Sequence, residues 1–111
     1  MIPLGSTDMT LSRMGLGTWA IGGGPAWNGD LDLQICIDTI VEAHRCGINL
    51  IDTAPGYNFG NSEVIVGQAL EQLPRREVVV ETKCGIVWER TGSLFNKVGD
   101  RQLYKNLTPE A

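Results

Sequence analysis

The sequence predicts an α/β fold in which helices cover a parallel sheet. Three observations carry this. Short apolar, β-branched runs at residues 14–19, 48–53 and 78–83 alternate with longer stretches whose apolar residues recur at helical spacing. The short runs are nearly continuous rather than alternating, the pattern of strands buried on both faces. Glycine fills 14 of 111 positions, about twice its usual share of about 7%, which suits tight loops between packed elements. Strand, helix, strand, helix, strand is the rhythm of βαβ units.

Taken in order, Ile2-Pro3-Leu4 and Thr10-Leu11-Ser12 are spaced to pair as a small hairpin around Gly5-Ser6-Thr7-Asp8. The first strand is expected over Met14–Trp19. Gly22-Gly23-Gly24 follows it, lacks the GxGxxG spacing and is not directly followed by a helix, so it reads as a flexible loop and not as a dinucleotide cradle. Asp30 or Asp32 caps the first helix, Leu33, Ile37, Ile40, Val41 and His44 recur along it, and Gly47 ends it in the left-handed conformation. The second strand spans Ile48–Thr53. Ser62 and Glu63 open the second helix, whose apolar face is Ile65, Val66, Ala69, Leu70 and Leu73 before Pro74. The third strand spans Val78–Lys83. Cys84 to Leu107 is polar, with little periodicity, and reads as a long functional or mobile loop. Thr108-Pro109-Glu110 is a helix-start signature at the point where the chain stops. The expectation is a single-domain piece, residues 1–111, of a truncated or partial larger domain.

Composition narrows the function. Lys and Arg total 9 against 13 Asp and Glu, a formal net charge of −4. An acidic chain is a poor partner for nucleic acid or an anionic membrane surface. Cys36, Cys46 and Cys84 are odd in number and have no CxxC spacing, so they read as reduced thiols, with no metal site expected. No leader-like apolar run follows Met1 and no stretch is long enough to span a bilayer. A soluble cytoplasmic protein is the expectation.

Chemistry concentrates in Asp52, Tyr57 and Lys83. Asp52 stands at the carboxyl end of the second strand, the end that faces the active site in parallel barrels. A carboxylate there needs a partner, and Lys83 holds the matching place on the third strand. Tyr57 lies in the loop just after Asp52. An ammonium beside a phenol favours the tyrosinate form and so eases proton donation to a carbonyl oxygen. Spacing alone leaves open an ordinary strand-end salt bridge with a surface tyrosine.

Several linked segments carry a resemblance: Gly15-Leu16-Gly17-Thr18-Trp19, Asn49-Leu50-Ile51-Asp52-Thr53-Ala54 with Tyr57, Gly60-Asn61-Ser62-Glu63 running to Gly67-Gln68-Ala69-Leu70, and Val80-Glu81-Thr82-Lys83. Together, from about Leu4 to Lys83, the chain resembles the aldo-keto reductase family. Ser6 to Arg13 is similar to the hairpin that plugs the bottom of that family's barrel. The resemblance implies a (β/α)8 TIM barrel, here its first three strands and two helices with the N-terminal hairpin. It implies NADPH as cofactor and a small-molecule carbonyl substrate. By resemblance Tyr57 is the proton donor, Lys83 tunes it and Asp52 supports the lysine. Gly17, Thr18, Trp19 and Asp52 would lie near the nicotinamide. The family's catalytic histidine falls beyond Ala111, and most of its phosphate and adenine contacts lie in the later half of the barrel. His44, alone on a helix, reads as structural or surface.

Trp19, Trp27 and Trp88 fall at or beyond strand ends, where they would shape an aromatic substrate pocket. Cys84, next to Lys83, is expected to be buried and inert. Two rival readings share these residues: a regulatory, cofactor-binding subunit of the potassium-channel beta type, and a non-catalytic partial barrel. Oligomeric state is not legible here.

Overall fold

The computed structural model describes residues 1–111. Its organising unit is a parallel sheet of β3 (Gly15–Gly17), β4 (Leu50–Asp52) and β5 (Val79–Glu81), in that order. Two helices connect the strands, α1 (Leu33–Arg45) and α2 (Asn61–Leu70). The register aligns Gly17, Asp52 and Glu81 across the strand ends. This is the expected adjacent, parallel, sequential arrangement.

The two faces of the sheet differ. Leu16, Ile51 and Val80 point to one face and join Cys36, Ile37 and Ile40 of α1 and Ile65, Val66 and Ala69 of α2 in the core. Gly15, Leu50 and Val79 point to the other, where they are exposed or half-buried. The expectation of strands buried on both faces therefore fails here, because the helices of this chain cover one face only. No helix is long and apolar enough to cross a membrane.

Local signals explain the helices. Asp32, and not Asp30, caps α1, its carboxylate accepting from the Ile35 N–H at 3.1 Å. Gly47 follows the helix at φ 91°, a conformation that costs a side-chain-bearing residue more than glycine. Cys36 is buried in the core, and its thiol donates to the Ile21 carbonyl at 3.6 Å. Burial, with Asp32 nearby, holds that thiol above its usual pKa.

At the opposite end of the sheet from Asp52, β1 (Ile2–Pro3) pairs antiparallel with β2 (Thr10–Leu11) as the expected hairpin. Asn49 ties it down. Its amide donates to the Thr10 carbonyl at 2.8 Å and accepts from the Ser12 N–H at 2.6 Å. His44 lies toward this end, with Nε2 3.6 Å from a Glu77 carboxylate oxygen.

The segment after β5 overturns the loop expectation. It forms β6 (Ile86–Val87), β7 (Ser93–Val98) and β8 (Arg101–Lys105), an antiparallel sheet ordered β6-β8-β7. A bulge at Phe95 interrupts the alternation of β7. The Gly22-Gly23-Gly24 expectation also changes. The segment is buried, and the Gly22 carbonyl accepts from the side-chain amides of Asn58 and Asn61, both at 2.9 Å. Thr108–Glu110 makes a single turn, closed by the Ala111 N–H donating to the Thr108 carbonyl.

Ile40 of α1 has no exposed surface and belongs to the core cluster shared with α2 and the sheet. Ile40→Ala should lower unfolding free energy by about 2–5 kcal/mol, read as a fall in the urea midpoint at unchanged slope.

Candidate functional site

Side chains two residues apart on a strand share a face. Asp52 pairs with Glu81 in register, so Lys83, two residues beyond Glu81, returns to the face that carries Asp52. The result is a 2.6 Å ion pair between Lys83 Nζ and Asp52 Oδ1. The same ammonium donates to the Thr53 carbonyl at 2.9 Å and to Tyr57 Oη at 3.5 Å. Its three N–H donors thus meet three acceptors. It also lies 5.2 Å from the Tyr57 ring centroid. Asp52, Tyr57 and Lys83 converge as the sequence reading expected.

These contacts hold the Lys83 pKa above its usual 10.5. The hydrogen bond that Lys83 donates to Asp52 is the main cause and Tyr57 adds to it, against partial desolvation. The sign follows from linkage. A raised folded-state value means the stabilisation is fully present below about pH 10.5 and is lost as pH rises through the raised value.

The opposite, helix-facing side of the strand ends carries a threonine from each strand. Thr18 Oγ1 donates to the Asp52 carbonyl at 2.9 Å and lies 2.7 Å from Ser62 Oγ. Thr53 Oγ1 lies 3.0 Å from Ser62 Oγ, and Ser62 donates to the Thr18 carbonyl at 2.9 Å. Thr82 Oγ1 donates to Glu63 at 2.6 Å. Thr18, Thr53 and Ser62 are buried and no buried side-chain polar atom lacks a partner. This seam fixes the start of α2 to the strand ends and with it the loop bearing Tyr57. Sequence reasoning missed it, although Gly-Thr-Trp, Asp-Thr-Ala and Glu-Thr-Lys repeat a threonine at equivalent positions. Thr18 was expected beside the cofactor. Its hydroxyl is instead enclosed and committed to the seam.

The Tyr57 loop is tightly wound. Asn58, Phe59 and Gly60 are consecutive left-handed residues at φ 49°, 54° and 84°. Phe59 in that region carries strain, and Arg101 braces it with its guanidinium carbon 3.7 Å from the ring centroid.

Trp19 stacks on Tyr57, with centroids 6.1 Å apart, and meets Trp27 edge-on at 5.2 Å. Tyr57, Lys83 and Trp19 line a cavity of about 540 Å³ together with Phe95, Val98 and Leu103. Trp27 backs Trp19 without lining this cavity. Trp88 is not brought here. It packs edge-on against Phe59 and lines a separate hollow with Cys84. Cys84 is exposed and not buried as expected, because it lies past the end of β5, the edge strand of its sheet. Gly17 is exposed, and a Cβ there would meet nothing within 4 Å. Open space therefore stands beside Asp52, whose Oδ2 has no protein partner.

A family model described as the aldo/keto reductase family matches residues 13–106. The chain is 90% identical over 110 residues to the NADH-specific methylglyoxal reductase of Escherichia coli (strain K12), covering 99% of this chain and 34% of that protein. It is 47% identical over 87 residues to the aldo-keto reductase YhdN of Bacillus subtilis (strain 168), covering 78% of this chain and 26% of that protein. The structure of the glycerol dehydrogenase AKR11B4 from Gluconobacter oxydans matches with a TM-score of 0.73 at 40% identity, covering 95% of this chain and 30% of that one. The chain spans between about a quarter and a third of the length of the curated relatives it matches.

Ser62→Ala should cost about 1–3 kcal/mol, since Thr18 and Thr53 lose a buried partner. Amide exchange should quicken at the start of α2 and in the Tyr57 loop, and far less in α1.

Proposed function

The chain belongs to the aldo/keto reductase family and its fold is part of a (β/α)8 barrel; from that premise we propose that residues 1–111 form the amino-terminal part of one barrel domain of an oxidoreductase that reduces small carbonyl compounds to alcohols with a nicotinamide cofactor. The single observation that carries this reading is the convergence of Asp52, Lys83 and Tyr57 at the carboxyl ends of parallel strands, beside a cavity. A salt bridge with a remote surface tyrosine would not set the ammonium between both partners.

The residues present fit a nicotinamide. Gly17 leaves open space beside the free Asp52 oxygen, and Trp19 offers a half-exposed aromatic face. Gly17, Trp19 and Asp52 would hold that end of the cofactor, with Thr18 supporting them through its backbone. The reduced nicotinamide supplies the hydride when bound.

The remaining chemistry belongs to the chain. Tyr57 Oη accepts a hydrogen bond from Lys83, so its own hydrogen is free to point toward a substrate oxygen in the cavity. Tyr57 gives that proton to the carbonyl oxygen as the carbonyl carbon takes the hydride, and an alcohol results. Lys83 stabilises the negative charge left on the phenol oxygen, and Asp52 keeps Lys83 charged and in place.

For the finer identity, the name of the 90% identical relative favours NADH over the NADPH that the resemblance implied, and methylglyoxal as a substrate.

The test uses a full-length hybrid in which this chain replaces the matching third of that relative. Tyr57→Phe should lower kcat for methylglyoxal by about 10²–10⁴-fold, while NADH binding, followed by fluorescence titration, stays nearly intact. Undiminished turnover in this variant contradicts the proton-donor role. NADPH outperforming NADH in the parent hybrid contradicts the cofactor choice alone.

A further inference from the structure

The β7–β8 hairpin is not used by the chemistry above, yet it lines the same cavity as Tyr57. Its placement is built at several points. Arg101 packs on the Phe59 ring, and Leu103 and Ile86 approach Gly56 in the same loop. At the tip, the Cβ position of Gly99 is 3.3 Å from Pro25 Cγ, in the 3-10 turn Pro25–Trp27 beyond Trp19. The hairpin therefore bridges the loops after β3 and β4 and closes one side of the cavity of about 540 Å³.

Phe95 is the singular residue of this wall. Leu94 pairs with Tyr104 and Asn96 with Leu103, which leaves Phe95 as the unpaired residue of a bulge. Bulges re-aim side chains and recur beside active sites. Phe95 lines the cavity and stays 49% exposed. Lys105 Nζ lies 5.1 Å from its ring centroid, within cation–π range, which steadies the ring.

We propose that the Ser93–Lys105 hairpin is a substrate-selecting wall in which the bulged Phe95 limits the size of the substituent on the carbonyl compound. This rests on the oxidoreductase reading. A carbonyl oxygen placed at Tyr57 turns the rest of the molecule toward Trp19 on one side and Phe95, Val98 and Leu103 on the other. The chemical class admitted is a short carbonyl compound with a small apolar substituent, such as a short 2-oxoaldehyde.

The experiment compares kcat/KM for methylglyoxal and phenylglyoxal, the same dicarbonyl with phenyl in place of methyl. It uses the full-length hybrid and its Phe95→Ala and Phe95→Leu variants. The phenylglyoxal-to-methylglyoxal ratio should rise about tenfold or more in Phe95→Ala and by a smaller factor in Phe95→Leu. NADH affinity by fluorescence titration should not move. A ratio within about twofold of the parent in both variants would overturn the proposal. Should Phe95→Ala fail to fold by circular dichroism, Phe95→Leu decides by the same criterion. A parent that reduces methylglyoxal while its variants keep the ratio sinks this inference alone. A parent that reduces no carbonyl sinks the oxidoreductase reading, and this inference with it.

Discussion

Ser62 is the small hinge-pin on which the site depends. Its hydroxyl sits at the first turn of α2 and meets the threonines that follow β3 and β4. Three buried hydroxyls with one proton each must share acceptors, and they do so only when two strand ends and a helix start are held in one arrangement. Buried polar groups left unpaired are costly. The network therefore specifies a geometry as much as it stabilises one. That geometry places the Tyr57 loop, because Tyr57 lies between Thr53 and Ser62 in the chain and its carbonyl accepts from the Ser62 N–H.

The other face of the same strand ends carries Asp52 and Lys83. Strand alternation turns the threonines toward the helices and turns Gly17, Asp52 and Lys83 toward the open side. The division suits the energetics. Hydroxyls are buried where they are fully paired, and the ion pair stays about half in solvent, with side-chain exposures of 46% and 33%. A fully buried pair would suffer a desolvation penalty that often exceeds its Coulombic gain. Partial exposure keeps Lys83 charged and leaves one Asp52 oxygen accessible beside the gap over Gly17.

Legibility in the sequence followed locality. The three strands, both helices, a cap at Asp30 or Asp32, the Gly47 terminator and the N-terminal hairpin were readable because neighbouring residues dictate them. The convergence of Asp52, Tyr57 and Lys83 was readable because two of them end adjacent strands and the third follows closely. The β6–β8 sheet was not. Its strands are short or bulged, carry Asn96, Lys97, Arg101 and Gln102, and so show no period-two apolar pattern. Missing that sheet meant missing Phe95, and it put Trp88 and Cys84 in the wrong surroundings. The buried, amide-held conformation of Gly22–Gly24 depends on Asn58 and Asn61, 36 and 39 residues away, which no local rule reveals. The choice between NADH and NADPH was equally hidden, since the resemblance places most phosphate and adenine contacts outside this chain.

The proposed chemistry rests on Lys83 being held as a cation by Asp52 next to Tyr57. The most direct measurement is the pH titration of the Lys83 side chain by 13Cε chemical shift, in this chain and in its Asp52→Asn variant. A midpoint above 10.5 that falls toward the ordinary lysine value when the carboxylate is removed is the expected result. A Lys83 midpoint at the ordinary value, or one indifferent to Asp52→Asn, would contradict it.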